Sequence, residues 1–168
     1  PHPTTRRQRQ MCIRDRMSDA QERYIEFCKL PFTDLDLSGL NILLDCANGA
    51  TYSVAPKVFT ELGANIETVA ANPDGININQ NCGSTNPDFL KDQMSKGNYD
   101  MGIAFDGDGD RILIISSEGN ILDGDDILFI LSQKLLPNSG VVGTLMTNKA
   151  LELHLSLIHI SEPTRQLA

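Results

Sequence analysis

A chain of 168 residues, 40% hydrophobic and 21% charged, has the apolar material for one ordinary core and the length of one domain, or of one domain with parts of its neighbours. No run approaches the ~18 apolar residues a membrane-spanning helix needs, so no membrane association is expected. Four cysteines at 12, 28, 46 and 82, with no C-x-x-C spacing, argue against a zinc ribbon or a disulfide-stapled secreted fold, and a net charge of −8 argues against nucleic acid as a partner.

The charge is uneven. The first 16 residues hold Arg6, Arg7, Arg9, Arg14 and Arg16 against Asp15 alone, which leaves the interior more acidic than the total. A transit peptide or basic arm would have this composition. However, residues 6–16, RRQRQMCIRDR, resemble the conceptual translation of a transposase adaptor used in sequencing libraries. Residues 155–165, LSLIHISEPTR, resemble the opposite adaptor read inward. We therefore read 1–16 as an adaptor-like, disordered scar and 155–168 as a second scar. Neither is expected to pack, despite the apolar LSLIHI stretch, and fold reasoning is confined to 17–154.

Within that interior, DAQERYIEFCK (19–29) places Tyr24, Phe27 and Cys28 at helical spacing with Ile25 beside them, which predicts a short amphipathic helix. Pro31 and the polar DLDLSG stretch read as a linker. NILLDCA is a buried strand closed by an Asn48-Gly49 turn. Residues 51–62 put Val54, Val58, Phe59 and Leu62 on one helical face, with Pro56 near the start and Gly63 as C-cap. IETVA (66–70) is a second strand, Pro73-Asp74-Gly75 a turn, and residues 76–85 a polar, Asn-rich loop. Asn86 is expected to cap a helix that begins at Pro87 and stops before Gly97. MGIAF (101–105) and RILIIS (111–116) are the third and fourth strands. Asp123 to Pro137 is a helix, its start capped by Asp123, Asp125 and Asp126 and its apolar side built from Ile127, Phe129, Ile130, Leu131 and Leu135. VVGTLM begins a further strand. Strands alternating with helices give an α/β fold class: a layered βαβ sheet with helices packed on it.

The strongest chemical signal is Asp106-Gly107-Asp108-Gly109-Asp110-Arg111, directly after the third strand. On an extended chain its three carboxylates would spread over roughly 13 Å, at about 3.3 Å per residue, too far to share one ion. Gly107 and Gly109 permit the positive φ angles that would curl the loop. Converging carboxylates raise one another's pKa unless a cation intervenes, and an all-oxygen, charge-rich set selects Mg²⁺, Mn²⁺ or Ca²⁺ over zinc. An EF-hand does not fit, because its sixth and twelfth loop positions would be Arg111 and Ser117. A dinucleotide fingerprint lacks its third glycine. Arg111 adds a bidentate grip for phosphate oxygens, and metal plus arginine is apparatus for stabilising a transferring phosphoryl group. The plainer alternative is a salt bridge from Arg111 to Asp108 or Asp110. Cys46 reads as buried apolar filler, and Asn77, Asn79 and Cys82 as members of a loop held by its own hydrogen bonds. His154 has no evident partner.

DGDGDR resembles the metal-binding loop of the α-D-phosphohexomutases, and DCANGA (45–50) resembles the opening of that family's second domain. PDGININQNCGST (73–85) is closer to the phosphoglucosamine branch than to the phosphomannomutase and phosphoglucomutase branches. DAQERYIEFCK resembles the linker helix leaving domain 1, and GTLMTNKALEL (143–153) the beginning of domain 3. The resemblance implies the end of domain 1 and a linker helix over 17–38, domain 2 with its metal loop over 39–138, and the start of domain 3 over 139–154. It implies a cytoplasmic isomerase that interconverts glucosamine 6-phosphate and glucosamine 1-phosphate through a bisphosphate intermediate. Asp106, Asp108 and Asp110 match its Mg²⁺ ligands one for one, and Arg111 matches the arginine that follows them. The partners implied are a phosphorylated hexosamine and the missing domains 1, 3 and 4. The phosphoserine nucleophile is absent from the chain, which is therefore expected to be inactive alone. Alternatives with other chemistry are another phosphohexomutase, a haloacid-dehalogenase-like phosphatase with Asp106 as nucleophile, and a calcium-binding module.

Overall fold

The computed structural model describes residues 17–135, 141–143, 147–155 and 158–159. The expectations for 1–16 and for most of 155–168 lie outside these residues. Helix α1 (Ala20–Lys29) leads through a 3₁₀ turn at Leu30–Phe32 to strand β1 (Asn41–Asp45). A second 3₁₀ turn (Ala50–Ser53) and helix α2 (Ala55–Glu61) cross to strand β2 (Asn65–Val69). A long loop and helix α3 (Pro87–Met94) then lead to β3 (Met101–Phe105), β4 (Ile112–Ser116) and β5 (Ile121–Leu122). Helix α4 (Gly124–Leu135), strand β6 (Val142–Gly143), helix α5 (Lys149–Leu155) and strand β7 (Ile158–His159) follow.

The main sheet is mixed, in the order β2-β1-β3-β4-β5. β1 lies parallel to both β2 and β3, whereas β3–β4 and β4–β5 are antiparallel. The parallel pairs are joined by helical crossovers, as parallel neighbours require. Central β1 is buried on both faces, so its NILL run is continuous rather than alternating. Ile42 and Leu44 point to the layer of α2, packing with Ala55, Phe59, Ala64 and Ile103. Leu43 points to the opposite layer, with Leu90 and Met94 of α3, Ala104 and Ile115. Removing each of these three side chains from water stabilises the fold by about 2 kcal/mol. The result is three layers, with helices on both sides of the sheet.

The structure differs from the sequence reading in several places. In α1 the buried residue is Ile25, while Tyr24 and Phe27 stand 56% and 66% exposed and stack on each other with centroids 6.5 Å apart. Residues 50–53 form a 3₁₀ turn rather than the first turn of α2, and Pro56 falls within the first two positions of that helix, where no N–H is needed. Asn86 occupies the N-cap position of α3, but its side chain makes no capping hydrogen bond. At α4, Asp123 Oδ1 accepts from the amides of Asp125 and Asp126, and Asp126 Oδ2 accepts from Asp123 N. Asp125 does not cap; its carboxylate accepts from Asn148 N instead. On α4, Phe129, Ile130 and Leu131 stand 36%, 46% and 47% exposed. Strand β5 is not expected from the sequence, because two residues are too few to show an alternation. Finally, β7 pairs in parallel with β6, Val142 opposite Ile158 and Gly143 opposite His159, so the second scar-like segment contributes two residues to a pairing it was not expected to make.

Candidate metal centre

Residues 106–111 connect antiparallel β3 and β4 at the point where Phe105 pairs Ile112. Gly109 N donates to Asp106 O at 3.2 Å, and Asp106 N to Arg111 O at 3.4 Å, which curls the connection on itself. The curl replaces a 13 Å spread with convergence: one carboxylate oxygen from each of Asp106, Asp108 and Asp110 lies within 4.8 Å of the others. The two glycines serve different needs. Gly109 has φ +78°, the left-handed region expected of it. Gly107 does not; it is small because a Cβ there would sit 2.4 Å from Ile78 Cγ2 and 3.1 Å from Asn79 Nδ2.

Asp106 is fully buried, whereas Asp108 and Asp110 are exposed. Asp106 Oδ1 accepts from the amides of Gly109 and Arg111, each at 3.1 Å, and its Oδ2 accepts from Arg111 Nε at 2.6 Å. Burial pushes its carboxyl up, but the backbone and side-chain hydrogen bonds from Arg111 outweigh that and bring it down to about 2. Asp110 moves the other way, raised by its hydrogen bonding with Asp106 and then by the negative charges of Asp108 and Asp106. The cation that relieves the crowding at Asp106 is thus Arg111 itself. Its salt bridge is to Asp106, with Asp110 at 3.6 Å as a weaker second contact, rather than to Asp108 or Asp110 primarily.

The donor set fits a hard divalent cation. A carboxylate offers about four lone-pair directions, and Asp106 has used three, which leaves one beside two exposed carboxylates. The three oxygens lie within 4.8 Å of one another, against about 3 Å for the edge of a Mg²⁺ octahedron, and two of the three carboxylates are exposed. Arg111 uses only Nε inward; its side chain is 66% exposed and its Nη groups make no hydrogen bond among the described residues. Arg111 lines an open cavity of about 390 Å³ with Ser84, Thr85, Asp110, Ile112, Leu113 and Gly124.

The loop rests on two neighbours. Ala50 N donates to Gly107 O at 2.9 Å, and a Cβ on Gly49 would sit 2.3 Å from that oxygen, so the DCANGA turn touches the loop directly. Asn48 does more than turn the chain: its Oδ1 accepts from Asn72 N, and its Nδ2 reaches Asn77 O and Cys82 Sγ. Asn77 holds its own loop, accepting from Asp74 N and donating to Asn72 O. Asn79 does not; its side chain lies between Gly83 and Gly107, with Oδ1 buried and unpartnered. Cys46 is fully buried, as the reading as filler requires. Sequence reasoning passed over Asp45, fully buried at the end of β1 with Oδ1 accepting from Ala47 N (2.9 Å) and Oδ2 from Gly83 N (2.6 Å). Its one signal was a charge closing an apolar strand.

Residues 22–119 match the family described as phosphoglucomutase/phosphomannomutase, alpha/beta/alpha domain II. A phosphoglucosamine mutase of Pseudomonas aeruginosa (strain LESB58) is 51% identical over 150 residues, covering 86% of this chain and 34% of the relative. One from Methylobacillus flagellatus is 54% identical over 142 residues, covering 82% and 31%. The chain therefore spans about a third of the length of the curated relatives it matches. A crystal structure of a phosphoglucomutase/phosphomannomutase family protein from Burkholderia thailandensis superposes with a TM-score of 0.68 at 21% identity, over 86% of this chain and 33% of that one, which establishes the shared fold. With a three-layer α/β/α domain, a carboxylate loop at the end of its third strand and a family match over most of the described residues, the chain belongs to the phosphoglucomutase/phosphomannomutase family, as its domain II.

Proposed function

We propose that the chain is the metal-loop domain of a cytoplasmic phosphoglucosamine mutase, which interconverts glucosamine 6-phosphate and glucosamine 1-phosphate by Mg²⁺-dependent phosphoryl transfer. The observation that carries this reading is the convergence of Asp106, Asp108 and Asp110 beside a guanidinium whose outer nitrogens make no hydrogen bond among the described residues. The two named relatives and the 73–85 loop favour the phosphoglucosamine branch over the other phosphohexomutases. The family match favours a mutase over a dehalogenase-like phosphatase or a calcium module.

In this reading the three aspartates hold Mg²⁺, which when bound draws electron density from the phosphoryl group in transfer. Asp106, held ionised by Arg111, supplies a fixed ligand, and Asp108 and Asp110 close around the ion. Arg111 acts in two directions: Nε orients Asp106, and the Nη pair offers a fork to phosphate oxygens. The phosphoserine and the sugar-recognising groups come from domains outside this chain, so the chain alone does not turn over substrate.

The test is a chimera in which residues 17–154 replace the matching segment of the P. aeruginosa relative. It should interconvert the two glucosamine phosphates, while the chain alone should not. In the chimera, Asp108→Asn should cut turnover at least a hundredfold and excess Mn²⁺ should partly restore it. Arg111→Lys keeps the charge but loses the fork, so metal should not restore it. A chimera that preferred mannose or glucose phosphates would move the chain to another branch. Rescue of Arg111→Lys but not of Asp108→Asn would reverse the two roles.

A further inference from the structure

We infer that Asp45 is a positioning residue for the metal loop, the post of a cradle that fixes Gly107 and Gly109 from two sides. The inference rests on the metal-site reading above. Asp45 is a fully buried carboxylate with no cationic partner among the described residues, and its two acceptor bonds reach chain segments far apart in sequence: Ala47 of its own turn, and Gly83 thirty-eight residues on. The segments it joins are the two that touch the loop. From the turn, Gly49 abuts Gly107, Ala50 N donates to Gly107 O, and Thr51 Cγ2 lies 2.6 Å from where a Cβ of Gly109 would be. From the 73–85 loop, Ile78 and Asn79 abut Gly107, and Ser84 N donates to Phe105 O at 2.8 Å, one residue before the first ligand.

The two sides are also bonded to each other around Asp45. Asn79 N donates to Ala47 O at 2.9 Å, and Ala47, Asn79 and Asn81 are all held at positive φ (52°, 57° and 56°). Left-handed backbone at non-glycine residues persists only where the surroundings over-determine it. A buried carboxylate accepting two amides is such a surrounding, because each amide it leaves would be buried without a partner. A neutral amide at position 45 has one oxygen, so it can satisfy one of the two N–H groups and must point an NH₂ at the other. The separation of Asp106, Asp108 and Asp110 is therefore set in part from a residue that touches none of them.

Mn²⁺ titration of the 168-residue chain, followed by electron paramagnetic resonance with circular dichroism on the same samples, tests this. Asp45→Asn should weaken Mn²⁺ at least fivefold at a temperature where the variant is fully folded. Asn79→Gly keeps the positive φ and the Ala47 bond but removes the amide beside Gly107, and it should weaken Mn²⁺ about threefold. Ile115→Val, in the core layer of Leu43 and opposite Gly102 rather than at the loop end of β3, should lower the melting temperature and leave Mn²⁺ affinity unchanged. Asp108→Asn reports on the site itself. If wild type and Asp108→Asn bind Mn²⁺ equally, or neither binds it, the metal-site reading fails and this inference with it. If Asp108→Asn weakens binding while Asp45→Asn and Asn79→Gly match wild type, the inference alone is overturned. Should Asp45→Asn fail to fold, Asn79→Gly decides the matter by itself.

Discussion

Cys46 sits one residue beyond the strand that ends in Asp45, and burial, then the neighbouring Asp45 charge, push its thiol up to about 11. Cys82 is raised by the same two causes, while Cys28 on α1 is partly exposed. A thiol whose folded pKa lies above its unfolded value of 9.0 contributes stability that is fully present below about pH 9 and lost as pH rises through 11. At pH 8, iodoacetamide should modify Cys28 within minutes and leave Cys46 and Cys82 unmodified until urea unfolds the chain, as read by peptide mass mapping. The urea midpoint should fall between pH 9 and 11, and part of that fall should vanish in Cys46→Ala. Equal labelling of all three in the folded chain would remove the basis for this. Cys46 as filler was legible from its place at the end of an apolar strand. The task of Asp45 was not, because a local pattern cannot say which amide a carboxylate meets across the fold.

At the scale of elements, the strands were legible because β1 and β3 are short apolar runs bounded by turn residues, and NILLD and MGIAF end where the sequence turns polar. The carboxylate cluster was legible for a related reason: aspartates separated by glycines after a buried strand have few other uses. Contacts between loops were not, since they depend on how the crossovers bring residues 45–51, 76–84 and 106–110 to one end of the sheet. Gly49 shows the difference. Its φ of −108° suits any residue, so the sequence reading as a turn glycine misses the reason for it, which is a Gly107 oxygen 2.3 Å from where a Cβ would be. Gly49→Ala should cost about 1–3 kcal/mol in urea unfolding by overpacking, and it should weaken Mn²⁺ because the displaced atoms belong to the loop proposed to hold the metal. Gly75→Ala is the contrast. Open space surrounds that position and φ is +92°, so it should cost about 1 kcal/mol and leave Mn²⁺ unchanged. Equal effects of the two substitutions on metal binding would mean that the turn does not support the loop.

For the whole molecule, the question is how much of the chain the sheet needs. Among the described residues, both core layers of the main sheet draw on positions between Leu37 and Ile115, and α1 joins them through Ile25, the Lys29–Glu61 ion pair and the bond from Gln21 to Ser53 O; Val141 and Leu151 are buried outside those layers. Beyond β5 the balance changes: α4 leaves Phe129, Ile130 and Leu131 exposed, and β6 meets β7 over two residues alone. Apolar residues exposed to this extent fit a chain whose relatives are about three times its length. A pairing of two residues contributes too little to hold a cooperative unit together. The chain cut to residues 17–135 should therefore unfold in one transition within ~2 °C of the full chain, and it should keep its Mn²⁺ affinity. Replacing Phe129 and Ile130 by Glu should leave that midpoint in place while reducing concentration-dependent association in sedimentation velocity. A fall of more than ~5 °C on trimming would instead mean that α5, β6, β7 or the arginine-rich start contributes to the cooperative unit, and that the folding unit extends past the fifth strand.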